Sequence, residues 1–269
     1  MGIYFLSIVI LSLYCAIMLL YLAAFLRGFE PAAAHARTLL TITLALHTVA
    51  FFLDLKDLGY MALDARGAMM FGSWVIGLAY LAGTAKKKDL RGLGLIVTPL
   101  VLTLFVVAQL VRTEGSRHVA LSAALRTFHV AISVIGVAAF VLAFSVSVAY
   151  LIQEYLLRTK RLGVMFKWLP DLQVLESLDS WLVTLGFPLL TLGIFTGALW
   201  NYRINHVLFD FGKGQVFAIL AWFVFFGMLL LRGLAGWRGR RTAWGTIVGF
   251  VFSMIALASY TIQAPGLLQ

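Results

Sequence analysis

Two histidines fall inside long apolar stretches of this sequence, where an ionisable ring needs a reason to be. His47 sits near the middle of the apolar run 38–55, and His129 lies at the start of the run 127–152, with Arg126 three residues before it. A spacing of three puts Arg126 and His129 on one face of a helix. His35, His118 and His206 fall in the connections between runs. An imidazole can take up a proton near neutrality, ligate a metal, or serve as the protein ligand of haem iron, and its second nitrogen then needs a partner. The plainer alternative is a ring that hydrogen-bonds a neighbouring carbonyl.

The acids offer less. Glu154 ends the run 127–152 beside Gln153, where a snorkelling carboxylate is the ordinary account. A proton relay would need a second acid buried within a span, and none is expected. Asp54, Asp57 and Asp64 could approach a divalent cation, but Lys56 and Arg66 interrupt them. No Walker loop, GxSxG elbow or HExxH pair is present, so no enzymatic hydrolysis is expected. The segment 200–215 is more informative: Trp200, Arg203, His206, Phe209, Asp210, Phe211 and Lys213 share a connection that stays largely apolar. Such a segment can lie in a membrane interface and present a flat surface to a large planar ligand, although aromatic residues at an interface also serve simply as anchors.

These residues need elements to hold them. Of the 269 residues, 62% are hydrophobic and 12% charged, with a mean hydropathy of +0.98. Soluble domains carry about 45–50% apolar and about 25% charged residues, so lipid must be the solvent here. About 20 apolar residues span the hydrocarbon core as a helix. Runs near that length recur at 3–26, 38–55, 67–85, 92–111, 127–152, 181–200, 214–231 and 243–263. They predict an all-α, polytopic membrane helix bundle of about eight transmembrane helices. The first run lacks a basic leader and a cleavage site and is expected to be a retained helix. With no low-complexity tract and no repeat, residues 1–269 read as a single integral membrane domain. Paired glycines, Gly193 with Gly197 and Gly245 with Gly249, predict close helix approach.

The net charge of +10 is distributed unevenly. Connections after odd-numbered runs hold Arg27, Arg37, Lys86, Lys87, Lys88, Arg91, Arg158, Lys160, Arg161, Lys167, Arg232, Arg238, Arg240 and Arg241, and the opposite set holds seven basic residues. Positive charge favours the cytoplasm, which puts both termini outside and the segment 200–215 on the outer face. Basic residues in short loops between spans set topology, so nucleic-acid binding is not expected. The stretch 158–179 reads as a basic amphipathic connection at the inner interface. Cys15 is the lone cysteine, which excludes an internal disulfide.

From about residue 125 to 260 the chain resembles the membrane haem-handling proteins of cytochrome c assembly, the CcsA/CcmC superfamily with its HemX-like branch. The stretches that carry this are Phe128-His129 running to Tyr150 and Glu154, Leu185 to Gly193 with Thr196 to Trp200, and Ala218 to Trp222 with Gly236 to Arg241. Leu46-His47 is similar as well. The segment matching the family's tryptophan-rich loop carries Phe209 and Phe211 in place of tryptophans, with the acid at Asp210, and 258–263 lacks the family's second outer histidine. The resemblance implies a multi-pass protein of a bacterial-type inner membrane that binds or passes haem at the outer face. His129 would be one axial ligand, His206 a substitute second and His47 a further candidate. Trp200, Phe209 and Phe211 would form the platform, with Arg126 or Arg203 meeting the propionates. Haem, the lipid bilayer and other cytochrome c assembly proteins or the apocytochrome would be the partners. The alternative is a HemX-like regulator of tetrapyrrole biosynthesis, holding a cytosolic enzyme through basic residues of 86–91 and 158–169. A small-solute exporter would need paired acids or broken helices, which are not seen.

Overall fold

A backbone in lipid must satisfy its N–H and C=O groups internally, and a helix does so within one segment. The computed structural model describes residues 2–27, 30–57, 65–111, 120–161 and 163–262, and among these every regular element is helical. The order is α1 (Gly2–Arg27), α2 (Glu30–Asp57), α3 (Ala65–Lys86), a 3-10 turn (Lys88–Leu93), α4 (Gly94–Leu110), α5 (Ala120–Arg158), α6 (Val164–Trp168), α7 (Leu172–Asn205), α8 (Lys213–Ala235) and α9 (Arg240–Ile262). All but the 3-10 turn and the five-residue α6 are long and apolar enough to cross a membrane, which gives the eight expected spans.

Three helices begin well before their apolar runs: α2 at Glu30 against 38, α5 at Ala120 against 127, and α7 at Leu172 against 181. In α7, Glu176 and Asp179 dilute the apolar signal without breaking the helix. Asp179 is only 4% exposed. Its Oδ1 accepts hydrogen bonds from Ser147 Oγ (2.8 Å) on α5 and Thr246 Oγ1 (2.9 Å) on α9. Arg232 of α8 lies 3.8 Å from Oδ2 and donates to the Glu176 carbonyl at 3.3 Å. The expectation that no span holds a second buried acid is therefore corrected. Asp179 is that acid, and it ties α5, α7, α8 and α9 together.

The spans form two groups, α1–α4 and α5 with α7–α9, joined where α3 and α4 meet α5. Their apolar faces merge into one buried core. α5 has 39 residues and α7 has 34. At ~1.5 Å per residue they reach about 58 and 51 Å, well beyond a hydrocarbon core of about 30 Å.

These two long helices pack antiparallel along a seam of glycines. A Cβ on Gly197 would stand 2.9 Å from His129 Cε1, one on Gly193 2.7 Å from Ser133 Oγ, and one on Gly186 2.7 Å from the Phe140 ring. One on Gly136 would stand 3.4 Å from the Leu190 nitrogen. Steps of four, three, four and seven residues along α5 (129, 133, 136, 140, 147) match equal steps back along α7 (197, 193, 190, 186, 179). Alternating steps of four and three keep the contact on one stripe of each helix, as knobs entering holes do. The paired glycines thus act as holes for side chains. In α9, Gly249 likewise receives the Phe225 ring of α8 and Gly245 receives Met228. Phe225 in turn stacks on Phe140 with centroids 3.9 Å apart.

The C-termini of α1, α3, α5 and α8 gather at one end with the N-termini of α2, α4, α7 and α9. Phe25 meets Trp168 there (6.1 Å), Gln153 Nε2 donates to the Phe166 carbonyl (3.2 Å), and Tyr80 donates to the Arg91 carbonyl (2.9 Å). This end carries the larger share of basic residues and is called the basic end below.

Gly186→Leu should force the Phe140 ring off the seam and cost about 1–3 kcal/mol. Thermal unfolding in detergent should show it as a lowered midpoint. Gly227→Leu, whose Cβ would meet nothing within 4 Å, should leave the midpoint near that of the wild type.

Candidate functional site

At the end opposite the basic one, α5 and α7 continue past the seam. The His129 ring rests over Gly197, and its Nδ1 lies 3.1 Å from Thr196 Oγ1. Thr196 donates its own proton to the Leu192 carbonyl (2.7 Å), shared with that of Gly193 (3.1 Å). The threonine oxygen is then left to accept from the Nδ1–H tautomer of His129, in which Nε2 keeps its lone pair. This is how a ligating imidazole is usually fixed: one nitrogen is tied to the protein and the other is turned to the ligand.

The stripe above this pair carries the other polar groups. On α7, Thr196, Trp200 and Arg203 follow at four and three residues and share a face. On α5, Arg126 stands one turn from His129 towards the same end, on the same side. Arg126, Trp200 and His129 are partly buried, and Arg203 is exposed. One imidazole, one indole and two guanidiniums therefore project from adjoining stripes. Such a set can offer a nitrogen to a metal centre and forked donors to carboxylates.

α7 ends at His206, which caps it in the left-handed conformation (φ 56°) with its N–H on the Tyr202 carbonyl. The following segment is stapled to both helices. Asn201 Nδ2 donates to the Val207 carbonyl (2.8 Å), and Gln215 Oε1 accepts from the N–H groups of Asp210 and Phe211. Phe209 (37% exposed) and Phe211 (69%) face outward with ring centroids 6.2 Å apart. These bonds hold the backbone of the segment while both rings, tilted 33° to one another, stay open.

The structure brings some expected residues together and separates others. His129, Arg126, Trp200 and Arg203 share the α5–α7 end, and Phe209 and Phe211 sit on the cap beyond. His206 lies nine residues past Gly197, about 14 Å further along the helix, and its ring turns beside Tyr202. His129 and His206 thus occupy different levels. His47 belongs to the other helix group and is fully buried, with Nδ1 3.0 Å from the Tyr14 hydroxyl and its ring edge-on to Phe105 (centroids 5.0 Å). Its Nε2 is buried without a hydrogen-bond partner. His35 is exposed, and His118 lies outside the described residues. Of the acids considered for a cation, Asp54 is paired with Arg66 at 3.3 Å, and the side chains of Asp57 and Asp64 lie outside the described residues. Glu154 pairs with Arg158 at 2.7 Å, as a snorkelling carboxylate would. Thr196 is the partner of His129 that sequence reasoning missed. The signal was present, since it stands between the two glycines of a spacing read only for helix packing.

Thr196→Val should remove the acceptor for Nδ1–H at a cost of about 1 kcal/mol. Ring 15N spectra, with the His129 signals assigned by subtraction of His129→Gln, should show a single tautomer protonated at Nδ1 in the wild type and a mixture in the variant.

A family model described as cytochrome C assembly protein matches residues 62–267. Among curated proteins, the cytochrome c biogenesis protein CcsA of Gloeobacter violaceus is 35% identical over 95 residues, covering 35% of this chain and 28% of that protein. The CcsA proteins of Marchantia polymorpha (31% over 104 residues) and a Synechococcus strain (34% over 88) are similar over 38% and 33% of this chain. These matches span 31% and 25% of the two relatives, so the chain matches about a quarter to a third of each of the three.

Proposed function

The chain belongs to the cytochrome c assembly protein family, and from that membership we propose that it binds or passes haem at the outer face of its membrane during cytochrome c biogenesis. The observation that carries this reading is the His129–Thr196 pair. A threonine whose own proton is committed to the helix backbone holds Nδ1–H and leaves Nε2 for an iron.

Haem is the cargo here, and it brings an iron with an open axial position and two propionates. His129 offers the axial nitrogen. Arg126 and Arg203 take the propionates through forked charge-assisted hydrogen bonds. Trp200 lies against the ring between them, and Phe209 and Phe211 cover its outer edge. A single held ligand suits a protein that must release what it holds. His206, one level further out on the exposed cap, is placed to meet the haem at the rim. His47, enclosed by Tyr14 and Phe105, is assigned to the packing of the first helix group. The chain does no covalent chemistry of its own in this reading. Its neighbours are the lipid bilayer of a bacterial-type inner membrane and, at the outer face, other assembly proteins or the apocytochrome.

The regulatory reading has less support. Phe166 and Trp168 of the connection meant to hold a soluble enzyme are partly buried, and the segment is bonded to Gln153 and packed on Phe25.

Absorption spectra of the detergent-purified protein, supplied with haem and taken oxidised and reduced, test the ligand. A Soret band is expected in the wild type, reduced by most of its intensity in His129→Ala and by less than half in His206→Ala. A wild type that takes up no haem would overturn the reading. Orientation is tested separately with a membrane-impermeant maleimide on intact cells, in a Cys15→Ser background. Phe209→Cys should label at once and Lys160→Cys only after lysis; the reverse pattern would put the site on the cytoplasmic side.

A further inference from the structure

A hollow lies far from His129, at the basic end. It is a cleft of about 620 Å³ between the C-terminus of α5 and the turn joining α8 to α9. Its walls carry Arg158, Arg238, Arg240 and Arg241 together with Trp237 and Trp244. The turn is shaped by Gly236 and Gly239, both in the left-handed region (φ 64° and 67°), and Gly239 lies against the Tyr150 hydroxyl.

The electrostatics of this cleft are unbalanced. Arg158 is neutralised by Glu154 and Arg232 faces Asp179, but among the described residues no carboxylate lies within ion-pair distance of Arg238, Arg240 or Arg241. Arg240 and Arg241 also occupy the first turn of α9, which has no acidic residue. A helix N-terminus carries about half a positive charge and repels cations, so two arginines there are destabilised unless an anion joins them. Arg241 is held over the Trp237 ring, 5.6 Å from its centroid, and so stays in the cleft.

The small hollow beneath, which shares Tyr150 and Gly239 with the cleft, is closed: it leaves no room for a water, and Asp179 Oδ2 there faces Arg232. The cleft itself therefore asks for an anion at its mouth. The cleft also stands where two spans end, with indoles of the kind that settle at lipid head-group level.

We propose that this cleft is a binding site for the head group of an anionic phospholipid, with Arg238, Arg240 and Arg241 on the phosphate. A mere excess of basic residues at the cytoplasmic surface would attract anionic lipid without fixing it in one place, and the two cases separate by experiment.

Native mass spectrometry of the full chain, released from detergent after incubation with phosphatidylglycerol or phosphatidylcholine, reads the site directly. Phosphatidylglycerol should be retained at a stoichiometry of one and phosphatidylcholine should not. Arg238→Gln/Arg240→Gln/Arg241→Gln should weaken retention roughly tenfold or more. Lys160→Gln/Arg161→Gln/Lys167→Gln, which removes equal charge at the same end outside the cleft, should leave it within about twofold. If the first triple variant does not fold, Arg240→Gln alone should still show a measurable loss. Equal losses in both triple variants, or no preference for phosphatidylglycerol, would overturn the proposal. Full displacement of the lipid by millimolar inorganic phosphate would also overturn it, by showing that the cleft serves a soluble phosphate.

Discussion

A carboxylate buried among helices near the end of a span has little water to fall back on, and the arrangement of the second helix group follows from how Asp179 is satisfied. Its oxygens are met by Ser147 and Thr246 and faced by Arg232, so three other spans are fixed in height against α7 by one side chain. Apolar packing alone discriminates poorly among heights, since lipid tails are as apolar as leucine. A polar contact of this kind discriminates strongly, because a slip of one turn would strand the acid among aliphatic groups.

That height is passed along the α5–α7 seam to the far end. With Ser147 opposite Asp179, the equal steps of the two helices bring Phe140 to Gly186, Ser133 to Gly193 and His129 to Gly197. The glycines matter because each removes the Cβ that would otherwise push the α5 side chain away. His129 can lie flat enough to reach Thr196 only because position 197 has no side chain. The contact of His129 with Thr196 is therefore a consequence of helix packing as much as of the histidine itself.

The architecture was legible in the sequence because span-length apolar runs separated by charge leave few alternatives in lipid. The α7 start was misread for the reason that makes Asp179 interesting: a charge inside a span looks like a loop until its partners are known, and Ser147 and Thr246 are ordinary residues tens of positions away. At the candidate site, His129 and Trp200 were visible as residue types out of place, and the aromatic segment by its composition. Thr196 was not, because its part depends on where its own proton goes. The pairing of His129 with His206 was suggested by shared location at one membrane face. Proximity along a helix is set by rise per residue, and nine residues place His206 a level away. His47 had the strongest signal of the three, an ionisable ring in mid-span, and lies in the other helix group.

The seam also explains why the two polar ends stand where they do. From His129 to Ser147 is eighteen residues, about 27 Å of helix, close to the thickness of a hydrocarbon core. The wall between them is built from glycines, Phe140, aliphatic groups and hydroxyls such as Ser133 and Ser145, and holds no ionisable group. An imidazole at one boundary and an acid–arginine knot at the other then anchor the helix pair across the membrane, because sliding either way would drag one of them into the hydrocarbon. The same placement that holds His129 at one membrane boundary holds the arginines of the α8–α9 turn at the level of the opposite head groups. Transverse position in the bilayer, site geometry and the charge of the basic end are thus set by one register.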